Sequence, residues 1–166
     1  KEMPSKILKN QKLLIGFDPK LFTKKILTIF FSKNNCKFKA LKNNLIDDIW
    51  KRPKKNSKGA FYKLPESSVG KSYQLKINKI VSNLRKKKAN FQFITASENN
   101  AWLFNIRGSD TKYAPIPNSH VLVDQNKKIS FFCDLKKISP LLKKKFKKVV
   151  FLDKKIIEEI LFKIKG

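Results

Sequence analysis

Few residues of this 166-residue chain are of a type that does chemistry, and their spacing assembles no complete reaction centre. There is a single histidine, His120, and it reads most simply as a partly buried strand residue rather than a metal ligand. Cys36 and Cys133 stand alone, with no second Cys or His at metal-ligand spacing, and read as reduced, mostly buried thiols. Gly70-Lys71-Ser72 resembles the end of a phosphate-binding loop. Such a loop needs a glycine where Pro65 sits, and no strand feeds this one. Asp47-Asp48 are adjacent, and neighbouring helix positions point in different directions, so solvation or capping is expected there rather than paired acid–base work. The most informative stretch is Ala101-Trp102-Leu103-Phe104-Asn105-Ile106 running into Arg107-Gly108-Ser109-Asp110. An apolar run that stops in a polar cluster describes an element docked into a core and delivering a loop to the surface. In that reading Arg107 and Asp110 pair or cap locally, and Gly108 permits the turn.

Composition bounds what those residues belong to. Hydrophobic residues make up 41% and phenylalanine occurs 14 times, enough for a packed core and against wholesale disorder. No apolar run approaches the roughly 20 residues that cross a bilayer, and Lys1 to Asn10 lacks the apolar stretch of a secretory signal. The formal net charge is +27, which predicts weak, salt-sensitive attraction to polyanions. Of 39 basic residues only Arg52, Arg85 and Arg107 are arginine, leaving 36 lysines spread along the chain. Specific nucleic-acid readers favour arginine for its two-pronged contacts, so this pattern fits a lysine-rich coding bias better than a dedicated groove.

The elements that position the stretch alternate in type. Lys12 to Phe17 reads as a buried strand closed by Asp18-Pro19, with the proline in an early helix position. Leu21 to Phe31 shows a helical apolar face, and Cys36 to Leu41 alternates as a half-buried strand does. Asn44 is placed to cap a short helix whose Ile46, Ile49 and Trp50 face inward. Residues 51–68 carry Pro53, Gly59 and Pro65 without periodicity and read as a connection between two domains. Beyond it, Val69 to Lys88 reads as a long amphipathic helix with Leu75, Ile77, Ile80, Val81 and Leu84 inward. A strand over Phe91 to Thr95 and a helix over Ser97 to Asn105, capped by Ser97, come next. Strands over Ser119 to Asp124 and Lys128 to Asp134 are joined by a hairpin at Gln125-Asn126-Lys127. Leu135 to Phe146 reads as helical despite Pro140, Val149 to Leu152 as a strand, and Asp153 as the cap of a final helix. Helices alternating with strands make the class α/β.

Several motifs, in order, resemble the three-domain Xaa-Pro aminopeptidases of the creatinase/prolidase/aminopeptidase P family. Ala101 to Asp110 resembles the AWLFNLRGSD signature of their second non-catalytic domain. Thr95-Ala96 precedes it as a strand end does in that family. Gly16-Phe17-Asp18-Pro19 resembles GVDP, and Asn44 to Trp50 followed by Arg52-Pro53 resembles the NLVDxIW…RP segment. Lys79 to Arg85 is similar to the KxxxLR helix, and Pro115 with Ser119 falls where the family has NPxFxSY. The resemblance runs from about Leu13 to Asp153 and departs at Asn100, Pro117, Asn118 and His120, where the family is apolar or aromatic. It implies a mixed sheet flanked by helices, with a ribonuclease-H-like motif. Residues 1–50 would end a first domain, 51–68 link, and 69–166 form a second domain that stops before its final strand. Ala101, Trp102, Leu103, Phe104, Asn105, Asp18, Pro19 and Trp50 would be signature residues with structural roles.

The resemblance also implies a function: an enzyme that removes an N-terminal residue preceding proline, cytoplasmic by the reduced state expected of its two cysteines. Its two divalent metals, manganese by that comparison, would be held by Asp, Asp, His, Glu and Glu of a C-terminal catalytic domain that this chain lacks. Such a centre needs converging carboxylates, which the 12 scattered acidic residues here do not offer. The chain would be scaffold and cleft wall, inert alone, with the catalytic domain and a homodimer as partners and no membrane contact. Arg107 to Asp110 would then face the catalytic domain or a partner subunit, as the alternative to a local role. A stand-alone nucleic-acid-binding module and a regulatory pseudo-subunit of a full-length aminopeptidase remain as other classes.

Overall fold

A computed structural model describes residues 13–31, 36–50 and 59–164. The expectations for residues 1–12 and 51–58, including Arg52 and Pro53, lie outside these. The chain forms two compact units, Lys1–Lys55 and Asn56–Gly166.

In the first unit, strands β1 (Leu13–Phe17) and β2 (Cys36–Ala40) pair in parallel, with helix α1 (Lys24–Phe31) between them in sequence. β1 is not the buried strand expected: Leu13, Ile15 and Phe17 are half-buried while Leu14 and Gly16 are exposed, so only one face is covered. In β2 the expected alternation holds, with Cys36 and Phe38 half-buried and Lys37 and Lys39 exposed. Leu27 of α1 is buried, and the Phe31 and Phe38 rings meet at a tilt of 57° with centroids 5.7 Å apart. Pro19 does not open the helix. The Asp18 carbonyl accepts from Leu21 and Phe22 in a separate turn, and α1 begins only at Lys24. Asn44 does cap α2 (Leu45–Ile49), its Oδ1 accepting from the Ile46 amide at 2.9 Å. The inward face expected of α2 is not formed: Ile46, Ile49 and Trp50 are 57%, 83% and 56% exposed. A helix of five residues carries barely one turn, too little to bury a stripe against a two-stranded sheet.

The second unit is built on a mixed four-stranded sheet in the order β4-β6-β7-β8, comprising Phe91–Ile94, His120–Asp124, Ile129–Cys133 and Val149–Asp153. The first three pair antiparallel and β8 joins β7 in parallel. The β6–β7 hairpin falls where the sequence put it. Asp124 Oδ1 accepts from the Asn126 and Lys128 amides, and Lys127 takes φ 65°. Helix α3 (Tyr73–Lys86) starts at Ser72, whose hydroxyl accepts from the Leu75 amide. Gly70-Lys71-Ser72 is therefore the entry to a helix. Within α3 the buried positions are Tyr73, Lys76, Ile77, Val81 and Leu84, while Leu75 is 60% exposed, contrary to its place in the expected stripe. Tyr73, Ile77 and Leu84 set the angle of the buried face, and Leu75 lies outside it.

Residues 59–68 are ordered: Phe61 is buried, and β3 (Tyr62–Lys63) pairs antiparallel with β5 (Ile106–Arg107). Their lack of periodicity reflects strand segments too short to show one. The continuous helix expected over Leu135 to Phe146 is broken. A 3-10 turn at Leu135–Lys137 is followed by α5 (Pro140–Lys144), with Ser139 accepting from the Leu142 amide. Proline lacks an N–H and clashes with the carbonyl four residues back, so it starts a helix here instead of continuing one. Asp153 caps a further 3-10 turn, Lys154–Ile156, which leads into α6 (Ile157–Ile164).

The core of the unit gathers Phe61, Tyr73, Ile77, Val81, Phe104, Phe131, Phe146 and Phe151 around the sheet. Phe104, 0% exposed, meets Tyr73, Phe131 and Phe146 at ring distances of 5.9, 5.2 and 6.1 Å. Burying a side chain of this size contributes about 3 kcal/mol, and Phe104 belongs to the signature stretch, so that stretch is anchored in the centre of the core.

Candidate functional site

Helix α4 (Ser97–Phe104) delivers the signature loop, and its two ends are held by different groups. Ser97 does not cap it: the N-cap is Ala96, and the Ser97 hydroxyl instead donates to the Ser119 carbonyl while accepting from the Ser119 amide. Asn100, fully buried, donates through Nδ2 to the same Ser119 carbonyl at 2.9 Å. One face of α4 is thereby tied to the chain entering β6. Ala101, Leu103 and Phe104 are buried, whereas Trp102 turns outward at 60% exposure.

The C-terminal end is a polar hub. Asn105 takes φ 54°, the left-handed conformation that asparagine tolerates better than most residues, and ends the helix there. Its Oδ1 accepts from Lys76 Nζ at 2.7 Å and its Nδ2 donates to the Lys71 carbonyl at 3.0 Å. Lys76 Nζ also donates to the Trp102 carbonyl at 2.6 Å and lies 4.1 Å above the Trp102 ring. Burial lowers the Lys76 pKa, and the charge of Arg107 lowers it further. Arg107 Nη1 donates to the carbonyls of Ala101 and Ile106 at 3.1 and 2.9 Å. Two cations thus sit on the carbonyl end of α4, where the helix dipole favours positive charge.

Of the local pairing or capping expected of Arg107 and Asp110, the capping is what the structure shows for Arg107, and the ion pair of Asp110 is made with Lys137 instead. Arg107 caps main-chain carbonyls, and Asp110 forms an ion pair with Lys137 while its Oδ2 accepts from the Asn118 amide at 2.8 Å. An arginine already committed to the helix end is not free to turn toward the loop. Gly108 is not at positive φ, so its role is close approach. A Cβ there would stand 2.8 Å from Phe61 Cδ1 and 3.1 Å from the Pro117 Cα. Ser109 packs against Gly59, where a Cβ would meet its Oγ at 2.0 Å. Beyond Asp110 the chain makes a bridged turn between Thr111 and Ala114, with Tyr113 87% exposed at its tip and Lys112 Nζ 4.8 Å from the Tyr113 ring centroid.

The other chemistry-bearing residues fall elsewhere. His120 is half-buried in β6 against Phe93, and burial, then Lys154, lowers its pKa. Cys133 is buried and Cys36 half-buried, both as free thiols, and burial pushes the Cys133 thiol up to about 12. Asp18 accepts from Asn44 Nδ2 at 2.9 Å, joining the end of β1 to the cap of α2. Among the described residues no group of three or more His, Cys, Asp or Glu is placed to hold a metal ion, and no helix is long and apolar enough to cross a membrane. Lys76 and Lys137 were not singled out from the sequence. Lys76 left one signal, a lysine inside the helical stripe of Tyr73, Ile77 and Ile80; Lys137 left none.

With this geometry in place, the comparisons with known proteins are specific. The Creatinase/Prolidase N-terminal domain family matches residues 51–165. The protein of Aspergillus niger named "Probable Xaa-Pro aminopeptidase P" is 30% identical over 134 residues, covering 78% of this chain and 22% of that protein. That of Blastomyces gilchristii is 34% identical over 116 residues, covering 66% of this chain and 18% of its own length. This chain therefore spans about a fifth of the curated relatives it matches. In fold it is similar to the crystal structure of an X-prolyl aminopeptidase from Caenorhabditis elegans, a cytosolic enzyme with a di-nuclear active site. The TM-score is 0.81 at 24% identity, over 95% of this chain and 26% of that one. The mixed sheet, the core-anchored signature helix and the family match over residues 51–165 converge: this chain belongs to the creatinase/prolidase N-terminal domain family, as found in the N-terminal region of Xaa-Pro aminopeptidases.

Proposed function

We propose that this chain is the non-catalytic N-terminal portion of a cytoplasmic Xaa-Pro aminopeptidase, serving as scaffold and cleft wall for a C-terminal catalytic domain. The observation that carries the reading is the match to aminopeptidases P of which the chain spans 22% or less. The cytosolic, di-nuclear enzyme of similar fold supports the same assignment. In the parent enzyme two divalent metals, manganese in our reading, would be held by the catalytic domain and would supply Lewis-acid chemistry there. This chain's part is mechanical. Phe104 fixes the signature helix in the core, Asn105 and Lys76 fix where it ends, and the loop from Arg107 onward presents Tyr113 to the catalytic domain or to a second subunit. A wall of this kind limits access to short peptides without touching the reacting atoms. The lysine charge adds only sequence-independent attraction to polyanions.

Two measurements test the reading. The coding DNA beyond Lys1 and Gly166 is expected to continue into a frame with spaced Asp, Asp, His, Glu and Glu codons. The purified chain, given manganese and an Xaa-Pro peptide, is expected to release no N-terminal amino acid. Turnover by the chain alone would refute the proposal, and so would a frame that encodes no such set.

A further inference from the structure

The loop from Gly108 to Ser119 carries little regular structure of its own, so what holds it has to be read from individual bonds. Its base is closed by one carboxylate. Asp110 binds Lys137 through Oδ1 and accepts from the Asn118 amide through Oδ2, so both arms of the loop meet at Asp110. Both charged side chains are largely withdrawn from water, Lys137 at 13% and Asp110 at 8% exposure. Lys137 belongs to the 3-10 turn after β7, 27 residues from its partner. The same residue reaches the other side of the loop: its carbonyl accepts from the Phe61 amide at 2.9 Å, and its Nζ lies 5.9 Å from the Phe61 ring centroid. Phe61 in turn is the ring against which Gly108 packs.

A buried ion pair is a poor source of stability compared with apolar residues of the same volume, because desolvation offsets most of the attraction. What it supplies is registry: the pair holds in one arrangement, and removing either member leaves the other, largely withdrawn from water, without its opposite charge of this pair. Here the arrangement selected is that of the loop whose exposed tip is Tyr113. We propose that Lys137 is a positioning residue for this loop. Paired with Asp110, it locks the base so that the Thr111–Ala114 turn is a pre-formed contact element and not a mobile lid. What the tip touches rests on the cleft-wall reading above; the locking itself does not.

The test is residue-resolved amide hydrogen exchange on the 166-residue chain, comparing wild type with Lys137→Met, Lys137→Arg, Asp110→Asn and the double variant Asp110→Asn/Lys137→Met. The reporters are the Gly108 and Asn118 amides in the loop and the Val121 and Phe131 amides in the sheet. Lys137→Met is expected to speed loop exchange about tenfold or more while leaving the sheet amides unchanged, since local opening is separable from global unfolding. Lys137→Arg is expected to restore protection, and the double variant to be no looser than the worse single one. Unchanged loop exchange, equal loosening of loop and sheet, or additive effects in the double variant would each overturn the proposal. Should Lys137→Met fail to fold, Asp110→Asn and Lys137→Arg carry the same comparison. A loop that behaves as stated, together with a Tyr113→Ser change that leaves peptide KM unaltered in the chain joined to its catalytic region, would sink the cleft-wall reading alone.

Discussion

Replacing Asn105 separates the two jobs that one side chain performs at the end of the signature helix. Asn105→Ala removes the bond from Lys76 Nζ at 2.7 Å and the bond to the Lys71 carbonyl at 3.0 Å. The first, to a charged donor, contributes about 2 kcal/mol and the second about 1 kcal/mol. Alanine must also adopt φ 54°, at a cost of about 1 kcal/mol that asparagine largely avoids. The expected loss for Asn105→Ala is therefore about 4 kcal/mol, large for a single substitution. Asn105→Gly loses the same two bonds but not the backbone strain, and is expected to lose about 3 kcal/mol. The assay is equilibrium unfolding in urea followed by Trp102 fluorescence in a Trp50→Phe background. Lys76→Met and the double variant with Asn105→Ala complete a cycle, whose coupling is expected at about 1.5 kcal/mol or more. Glycine as costly as alanine would refute the backbone argument. An additive cycle would refute the claim that Lys76 and Asn105 stabilise through each other.

Other outcomes follow from the same geometry. Gly108→Ala places a Cβ 2.8 Å from Phe61 Cδ1 and 3.1 Å from the Pro117 backbone. Overpacking of this kind is expected to cost about 1–3 kcal/mol, and an unchanged thermal midpoint would show that the loop yields instead. The Cys133 thiol is pushed from 9.0 up to about 12, by burial first and then by Asp134, Asp110 and Asp153. The folded state keeps a proton that the unfolded state loses, so this contribution is complete below pH 9 and falls away as pH rises towards about 12. Cys133→Ala is expected to flatten the alkaline limb of stability against pH, and superimposable limbs would refute the assignment. The charge of +27 predicts polyanion binding that weakens steeply with salt, and tight binding persisting at about 0.3 M salt would point to a dedicated nucleic-acid site.

Much of the fold was legible because it is written locally. The alternation of Cys36 and Phe38 with lysine, the Asn44 cap, the Gln125 to Lys127 turn and the apolar run ending at Phe104 depend on residue types within a few positions of one another. They therefore survive reading in one dimension. The motifs from Gly16 to Ser119 likewise pointed to the family, since their order along the chain is itself a sequence property.

What the sequence could not determine were partners far apart in the chain. Lys76 meets Trp102 and Asn105 across 26 and 29 residues, and Asp110 meets Lys137 across 27, so nothing near Arg107 indicates that Asp110 bonds elsewhere. Pro140 split a helix whose apolar pattern continued through it, and Leu75 and Ile49 stay exposed because, among the described residues, no element covers them. Local periodicity records which face is greasy; only the assembled sheet and helices decide which greasy face is covered, and which polar groups accompany a charge as it leaves water.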